Sequence, residues 1–383
     1  MKCFLPGQIP ALVALAREFA VCDNWFASLP GPTWPNRYFS FAASSGGLDD
    51  SPTEGQLAKW SANPWGGFVF ENGTLFNKPG LHWRIYVDQK VGSNCASVAG
   101  VSHTDLYRFS RFADDLKKGD AVQFTYIEPD YGDFAGGTYK GGNSQHPLDD
   151  VRSGDRFIAA VYSAIRNSPV WESSMLIITY DEHGGFYDHV APPTAPPPGD
   201  HSQMEDVNTT GFTFNQYGVR VPAVIVSPLI PKGVIDGRLY DHASIPATAE
   251  ALFSLNPLTT RDKDANSLHT LVTLPAPRQD CPTSLPSMRA GELDAAFPEA
   301  REMVLTEADL EMRREQPIDS VGNLPGFVYS AMRLQMEVSP PEERPAIVAR
   351  VQSLRTVGDA EDYIKETEAL VMERGVAAGN APS

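Results

Sequence analysis

Between Gln8 and Ala20 the apolar residues Ile9, Leu12, Val13, Ala16 and Phe19 recur every three or four positions, so the chain opens on a helix with one buried stripe. Residues 21–26 follow as a short strand. They run into Leu29-Pro30-Gly31-Pro32-Thr33-Trp34-Pro35-Asn36-Arg37, where three prolines around one threonine predict a rigid loop without regular structure. Residues 45–80, rich in Gly, Ser, Pro and Asn with Trp60, Trp65, Phe68 and Phe70 scattered among them, read as an excursion from the core. Residues 83–87 and 122–127 have strand composition, and 155–168 carry Phe157, Val161, Ala164 and Ile165 at helical spacing. Residues 175–180 are apolar on both alternating faces, which suits a strand covered by helices on each side of a parallel sheet. Residues 221–226 repeat that pattern, and Ser244 starts a helix with Ala249, Leu252 and Phe253 on its apolar face. This succession of strands and helices is an α/β order. Beyond residue 255 the pattern weakens: 256–300 hold many prolines and read as a long covering loop, while 299–315 and 345–374 read as polar-faced helices.

Charge narrows the function classes. The 383 residues carry 31 Lys+Arg against 48 Asp+Glu, a net charge of −17, which repels a phosphate polymer and argues against nucleic acid as a partner. It also weighs against adsorption to an anionic membrane surface while leaving a lipid headgroup free to dock inside a cleft. No stretch approaches the roughly 20 apolar residues of a membrane span. Lys2 is followed by only a short apolar patch before Pro6-Gly7, so no secretory signal is expected in this chain. Cys3, Cys22, Cys95 and Cys281 lie far apart, which predicts isolated thiols in place of a zinc knuckle or redox pair.

The chemistry concentrates in Tyr180-Asp181-Glu182-His183-Gly184-Gly185-Phe186-Tyr187-Asp188-His189-Val190. Two Asp, one Glu and two His stand there with no Lys or Arg among them, a crowding that is costly unless a cation neutralises it. The run begins where an apolar strand ends, the edge at which open α/β sheets bind ligands. Carboxylate and imidazole donors suit Mg, Mn, Ca, Fe or Zn, so ligand type leaves the metal open. Thr33, held between prolines, is a candidate nucleophile, because an alcohol attacks only when a metal or base lowers its pKa and its oxygen is aligned. From the loop alone a turn-forming threonine is the plainer reading. Asn36 and Arg37 are placed to orient or charge-stabilise an anion, and Arg37 is equally suited to pair with an acid. His146, in Asn143-Ser144-Gln145-His146-Pro147, supplies an acid or base at ordinary pH. Asp241-His242 precedes the Ser244 helix, where capping is its simplest role.

Six ordered segments carry a resemblance: Phe19-Ala20-Val21-Cys22-Asp23-Asn24-Trp25-Phe26; Pro30 through Arg37; Gln145-His146-Pro147; Tyr180 through Val190; Val219-Arg220-Val221-Pro222 with Val226-Ser227-Pro228; and Tyr240-Asp241-His242-Ala243-Ser244. Across about residues 7–255 the chain resembles the phosphoesterase family that holds bacterial, fungal and plant non-haemolytic (non-specific) phospholipases C together with certain acid phosphatases. The resemblance implies an α/β, alkaline-phosphatase/sulfatase-like three-layer sandwich with a mainly parallel sheet, followed by C-terminal helices. Residues 1–255 would be the catalytic core, and 256–383 a Pro-rich covering loop and helical extension.

The implied reaction is metal-dependent hydrolysis of phosphoric esters through a phosphothreonine. A phospholipid would give diacylglycerol plus a phosphorylated headgroup, and a phosphomonoester would give phosphate. By that resemblance Thr33 is the nucleophile and His146 the acid that protonates the departing alkoxide. Asp181, Glu182 and the Thr33 hydroxyl would hold one divalent metal ion, with Asn36, Arg37, His183, Asp188 and His189 against the substrate. A Glu-Asn-Arg-Ser-Phe-Asp-His type motif, which in the family precedes the opening helix, is not found before it here, so the chain reads as N-terminally truncated relative to the family. Either the chain starts late relative to a longer product, or the first strand and about half the ligands are lost, and in that second case weak metal binding and unpaired sheet edges are expected. Two alternatives stand beside this reading: a catalytically inactive member that acts as a binding scaffold, and a related sulfatase or phosphonate hydrolase. Thr33 argues against a sulfatase, which usually matures a Cys or Ser to an aldehyde. Substrate preference, oligomeric state and compartment stay open.

Overall fold

A computed structural model describes residues 4–62, 68–89, 91–120, 122–200, 207–287 and 306–377. The chain runs α1 (Pro10–Glu18), β1 (Ala20–Cys22), α2 (Thr33–Ala42), α3 (Glu54–Ser61), β2 (Trp83–Val87), β3 (Leu106–Arg108), α4 (Phe112–Lys117), β4 (Phe124–Glu128), α5 (Val151–Arg166), β5 (Leu176–Thr179), β6 (Ala223–Val226), β7 (Val234–Asp236), α6 (Ser244–Phe253) and α7 (Thr260–Asp264). It continues through α8 (Glu307–Arg314), α9 (Leu324–Val338), α10 (Arg344–Ser353) and α11 (Val357–Ala377), with 3-10 turns between several of these elements.

The strands form one sheet in the order β5-β6-β1-β7 and another in the order β3-β2-β4. β1 is parallel to β7 and β2 is parallel to both of its neighbours, whereas β6 is antiparallel to β1 and β5. The fold is α/β with a majority of parallel pairings. β5 departs from the strand predicted over 175–180 in being antiparallel to β6 and ending its sheet: Ile177 packs on one apolar cluster and Leu176 and Ile178 on another, as expected of a strand covered on both faces, but at the sheet's edge they stay half-buried. α1 is held to α5 by Asp155, whose two carboxylate oxygens accept the N–H groups of Ala11 and Leu12 at 2.9 Å each, satisfying donors that a helix start leaves free.

Three further expectations are corrected. The proline-rich segment is helical from Thr33 onward, because Pro35 falls in the first turn of α2, where a missing N–H costs nothing. Residues 45–80 are no excursion: Leu48, Leu57, Phe68, Phe70 and Phe76 are buried in the largest apolar cluster, although Trp65 lies outside the described residues. Residues 345–374 form two helices and not one, since Leu354 turns extended and the Asp359 carboxylate accepts the N–H groups of Arg355 and Thr356 to start α11. The helix predicted over 299–315 is seen as α8, and residues 299–305 lie outside the described part.

The largest cluster also defines the place of the C-terminal region. Helix α9 buries Leu324, Phe327, Val328, Tyr329, Ala331 and Met332 against Trp34 and Tyr38 of α2. Part of the stretch read as a C-terminal helical extension is therefore core, and it packs directly behind Thr33. Cys22, Cys95 and Cys281 are buried free thiols, as their isolation predicts, and Cys3 lies outside the described residues.

Candidate active site

Thr33 is positioned by backbone constraint. The Asn36 side chain knots the preceding loop: Oδ1 accepts from the Leu29 N–H at 3.2 Å, and Nδ2 donates to the carbonyls of Leu29, Gly31 and Pro32 at 3.3, 2.8 and 3.1 Å. The substrate contact expected of Asn36 is not supported, because a fully buried amide with four backbone partners has no donor left. Thr33 is the first residue of α2, which carries no side-chain cap, so the positive end of the helix opens where the hydroxyl stands. Asn323, from the residue before α9, donates through Nδ2 to Thr33 Oγ1 at 3.3 Å and to the Tyr139 hydroxyl at 3.4 Å, and its Oδ1 accepts from Ser51 Oγ at 3.3 Å.

One turn further along the same face, Arg37 donates from Nε to Asp181 Oδ2 at 2.9 Å. Its guanidinium lies 4.6 Å over the Tyr131 ring, donates to the Tyr131 hydroxyl, and stands 3.7 Å from Glu128 Oε1. Of the two readings for Arg37, pairing with an acid is the one observed. Burial pushes the Asp181 carboxyl up, but the charge and hydrogen bond of Arg37 outweigh it and hold Asp181 below the usual carboxylate range. Glu182 moves the other way, pushed up by burial and then by the Asp181 charge. Its Oε2 accepts the Gly184 N–H at 2.8 Å and stands 3.2 Å from His183 Nδ1. The turn that permits this has φ of +62° at Gly184 and +77° at Gly185, which glycine adopts without strain.

His242 steadies the same turn from below. Its Nδ1 accepts from Trp25 Nε1 at 3.3 Å, which leaves Nε2 to donate to the Asp181 carbonyl at 2.7 Å, and burial holds its pKa below the ordinary histidine value. Asp241 accepts from the buried Arg261 at 3.1 Å and from the Ser28 hydroxyl at 2.8 Å. Capping, the simpler role for this pair, is not what they do: α6 starts after Ala243 with no side-chain cap.

His146 is stacked on Tyr139 with ring centroids 3.6 Å apart and planes within 6°. Its Nδ1 accepts from the Leu148 N–H at 3.3 Å, so in the neutral ring Nε2 carries the proton, and burial lowers its pKa. Thr33, His146, Glu182 and His183, far apart in the chain, line one cavity of about 500 Å³ together with Tyr139, Arg313 and Asn323. A larger cavity of about 2040 Å³ adjoins it, walled by Leu12, Phe124, Phe157, Ile165 and Leu176 and reached by Thr33, His146, Asp181 and Glu182.

Asp188 lines the larger cavity but not the smaller one, and His189 lines neither. Arg220 neutralises Asp188 with two hydrogen bonds of 2.6 and 3.0 Å, and His189 is largely exposed beside it. Among the described residues no three His, Cys, Asp or Glu side chains gather as a metal shell. Asp181 and Glu182 with the Thr33 hydroxyl are the expected donors, yet Asp181 is already paired with Arg37, so these side chains do not complete a closed cation site.

Sequence reasoning passed over Glu128, Tyr131, Tyr139, Arg313 and Asn323. For Asn323 a signal existed: Asn323-Leu324-Pro325 ahead of an apolar run is a helix start. Glu128 and Tyr131 gain their roles only from where β4 ends.

Residues 1–256 match the model of the Phosphoesterase family. Non-specific phospholipase C6 of Arabidopsis thaliana is 38% identical over 326 residues, covering 78% of this chain and 59% of that protein. Non-specific phospholipase C3 of the same plant is 34% identical over 324 residues, covering 82% and 60%. Phospholipase C B of Mycobacterium tuberculosis is 28% identical over 300 residues, covering 69% and 54%. The chain thus spans no more than 60% of the length of these relatives. A solved structure of a protein in the alkaline phosphatase superfamily from Vibrio parahaemolyticus aligns with 67% of this chain and 64% of its own, at 14% identity and a TM-score of 0.41. The resemblance carried by the motifs of residues 7–255 and the match over residues 1–256 coincide, and the chain belongs to the phosphoesterase family.

Proposed function

We propose that the protein hydrolyses phosphoric esters in the manner of a phospholipase C. Thr33 gives up its hydroxyl proton to solvent as Oγ1 forms the bond to phosphorus and the ester P–O bond breaks, and His146 as imidazolium delivers a proton from Nε2 to the departing alkoxide, regaining it from the water that cleaves the intermediate. Water then cleaves the phosphothreonine and restores the hydroxyl. The observation that carries this reading is the meeting of Thr33, His146 and Glu182 around one cavity. Two details support it. The open start of α2 favours negative charge at Thr33, and the lowered pKa of His146 makes its imidazolium a stronger acid.

Asp181 and Glu182 are the donors proposed for a divalent cation, which would bind weakly because the described residues close no shell around them. That cation would supply charge stabilisation to phosphoryl oxygens. A binding scaffold without turnover is the second reading, favoured by the neutralisation of Asp181 by Arg37.

The test is release of nitrophenol from p-nitrophenyl phosphate and p-nitrophenylphosphocholine by the purified chain, with metal content measured on the same sample. Thr33→Ala is expected to lower turnover by about 10²-fold or more, and His146→Asn by about 10²-fold. Equal turnover by wild type and Thr33→Ala overturns the nucleophile assignment. No turnover with or without added divalent cations supports the scaffold, and faster release from p-nitrophenyl sulfate supports the sulfatase alternative.

A further inference from the structure

Nearly every cation around the site has an acid. Arg37 is paired with Asp181, Arg220 with Asp188, and Arg261 with Asp241. Arg314 at the end of α8 binds Glu361 at 2.5 Å and Asp362 at 2.9 Å, which fastens that helix to α11. Its neighbour Arg313 is the exception. It is half-buried, lines the cavity that holds Thr33, and its side chain makes no hydrogen bond or ion pair with any described residue. Its guanidinium lies where a side chain on Gly137 would be: a Cβ built there would stand 3.1 Å from Arg313 Nη2 and 3.1 Å from Val321 Cγ1. In a chain with 17 more acids than bases, a guanidinium without an acid partner is the rarer state.

We propose that Arg313, brought in by the C-terminal helices beyond the segment that matches the family model, forms the anion-binding wall of this cavity and takes the phosphoryl oxygens of the bound ester, with Asn323 beside it holding the nucleophile. The proposal rests on the reading of Thr33 as the residue that meets phosphorus. Charge explains the need. Asp181 and Glu182 bring two carboxylates to the site, Arg37 offsets one, and without Arg313 the cavity would present a net negative charge to a negative substrate. Arg313 restores the balance, and a guanidinium grips phosphoryl oxygens in its planar fork. Asn323 acts differently. Through Nδ2 it holds Thr33 Oγ1, so it is a positioning residue for the nucleophile, and the start of α2 adds donors on the same side.

The experiment measures binding of inorganic phosphate and of glycerophosphocholine to the full chain by calorimetry, for wild type, Arg313→Gln, Arg313→Lys, Asn323→Ala and Arg314→Gln, each first shown to unfold cooperatively near the wild-type temperature. Arg313→Gln is expected to weaken phosphate about 10-fold or more, with Arg313→Lys recovering part of that loss. Arg314→Gln, which removes the same charge one residue away, is expected to change binding less than about two-fold. A tighter hold on glycerophosphocholine than on phosphate assigns the wall to a diester headgroup, and the reverse order assigns it to a monoester or its product. In turnover Arg313→Gln raises KM, whereas Asn323→Ala lowers kcat. The proposal is overturned if Arg313→Gln binds both probes as wild type does, or if Arg314→Gln loses as much. Phosphate binding that depends on Arg313 in a chain without turnover would leave the subsite standing and sink the enzymatic reading. Turnover that depends on Thr33 but not on Arg313 would do the opposite.

Discussion

Gly326→Ala tests whether the C-terminal helices hold the nucleophile in place. Gly326 sits in the first turn of α9, and a Cβ there would lie 2.5 Å from both Cε2 and Cζ2 of Trp34. Carbon atoms pack at about 3.5–4.0 Å, so the indole must retreat by about 1 Å. It has nowhere easy to go: Trp34 is fully buried, with edge contacts to Tyr38 at 5.9 Å and Phe327 at 5.5 Å between ring centroids. Overpacking of this kind costs about 1–3 kcal/mol, against about 1 kcal/mol gained because alanine favours helix over glycine. The net is a destabilisation of about 0–2 kcal/mol. Activity should suffer more than stability, because Trp34 follows Thr33 directly and a 1 Å misplacement of a reacting group costs about 10²-fold. Gly55→Ala in α3 is the control, since a Cβ there meets only Thr53 Oγ1, at 3.9 Å, and the helix gain alone should raise stability. Thermal unfolding and ester turnover are measured on both variants. A Gly326→Ala protein as stable as Gly55→Ala and fully active would refute the argument that α9 sets the position of Thr33.

Glu250 in α6 is buried, and burial followed by the nearby Asp262 pushes its carboxyl up to about 9. A folded-state pKa above the unfolded value gives stability that is full below the unfolded pKa and lost as pH rises towards 9. Glu250→Gln should therefore stabilise the protein by about 1–3 kcal/mol at pH 7.5 and by almost nothing at pH 4.5, checked by unfolding at both. Asp241 and Arg261 form an ion pair of 3.1 Å with both side chains 1% exposed, so Asp241→Asn should cost about 3–5 kcal/mol by leaving a buried guanidinium uncompensated. Asp241→Asn combined with Arg261→Met should recover much of that loss in denaturant unfolding, and a double variant no better than the single would contradict the pairing argument. β4 and β5 each end a sheet beside the large apolar cavity, so the chain should bind the dye ANS strongly while still unfolding cooperatively. Negligible dye fluorescence under native conditions would mean that this cavity is closed in solution.

Much of the fold was legible because its signals are local. The stripe of Ile9, Leu12, Val13, Ala16 and Phe19 marks α1, and the apolar runs of 175–180 and 221–226 mark β5 and β6. What failed was inference from composition to burial. Residues 45–80 look loop-like because Gly, Pro and Ser break regular structure, yet breaking structure is no bar to burial, and Phe68 and Phe70 close on Tyr38 at 4.7 and 5.2 Å between centroids. Helix α9 was missed for a related reason. Its residues are apolar almost all round, so it lacks the polar face that makes an amphipathic helix visible, and only its neighbours explain why it is buried on every side.

The site divides along the same line. Thr33, His146, Asp181 and Glu182 stood out by residue type within short motifs, and three of them share the smaller cavity. Their electrostatics could not be read that way. The run from Tyr180 to Val190 holds no Lys or Arg, and that emptiness is what argued for a metal. The fold supplies the cations from a distance: Arg37 reaches Asp181 from 144 positions away, and Arg220 reaches Asp188 from 32. His183 sits against Glu182 within the run itself. Each carboxylate in the run thus has a nitrogen partner, and crowding by itself ceases to demand a divalent ion. The case for one must rest on measured metal content and on its loss in Asp181→Asn, a variant that would also release the Arg37 Nε from its acid while Glu128 and Tyr131 still hold Nη1. If Arg37 then served as an anion-binding group, Asp181→Asn would tighten inorganic phosphate while lowering turnover, a pair of opposite changes that removal of a simple structural ion pair would not produce.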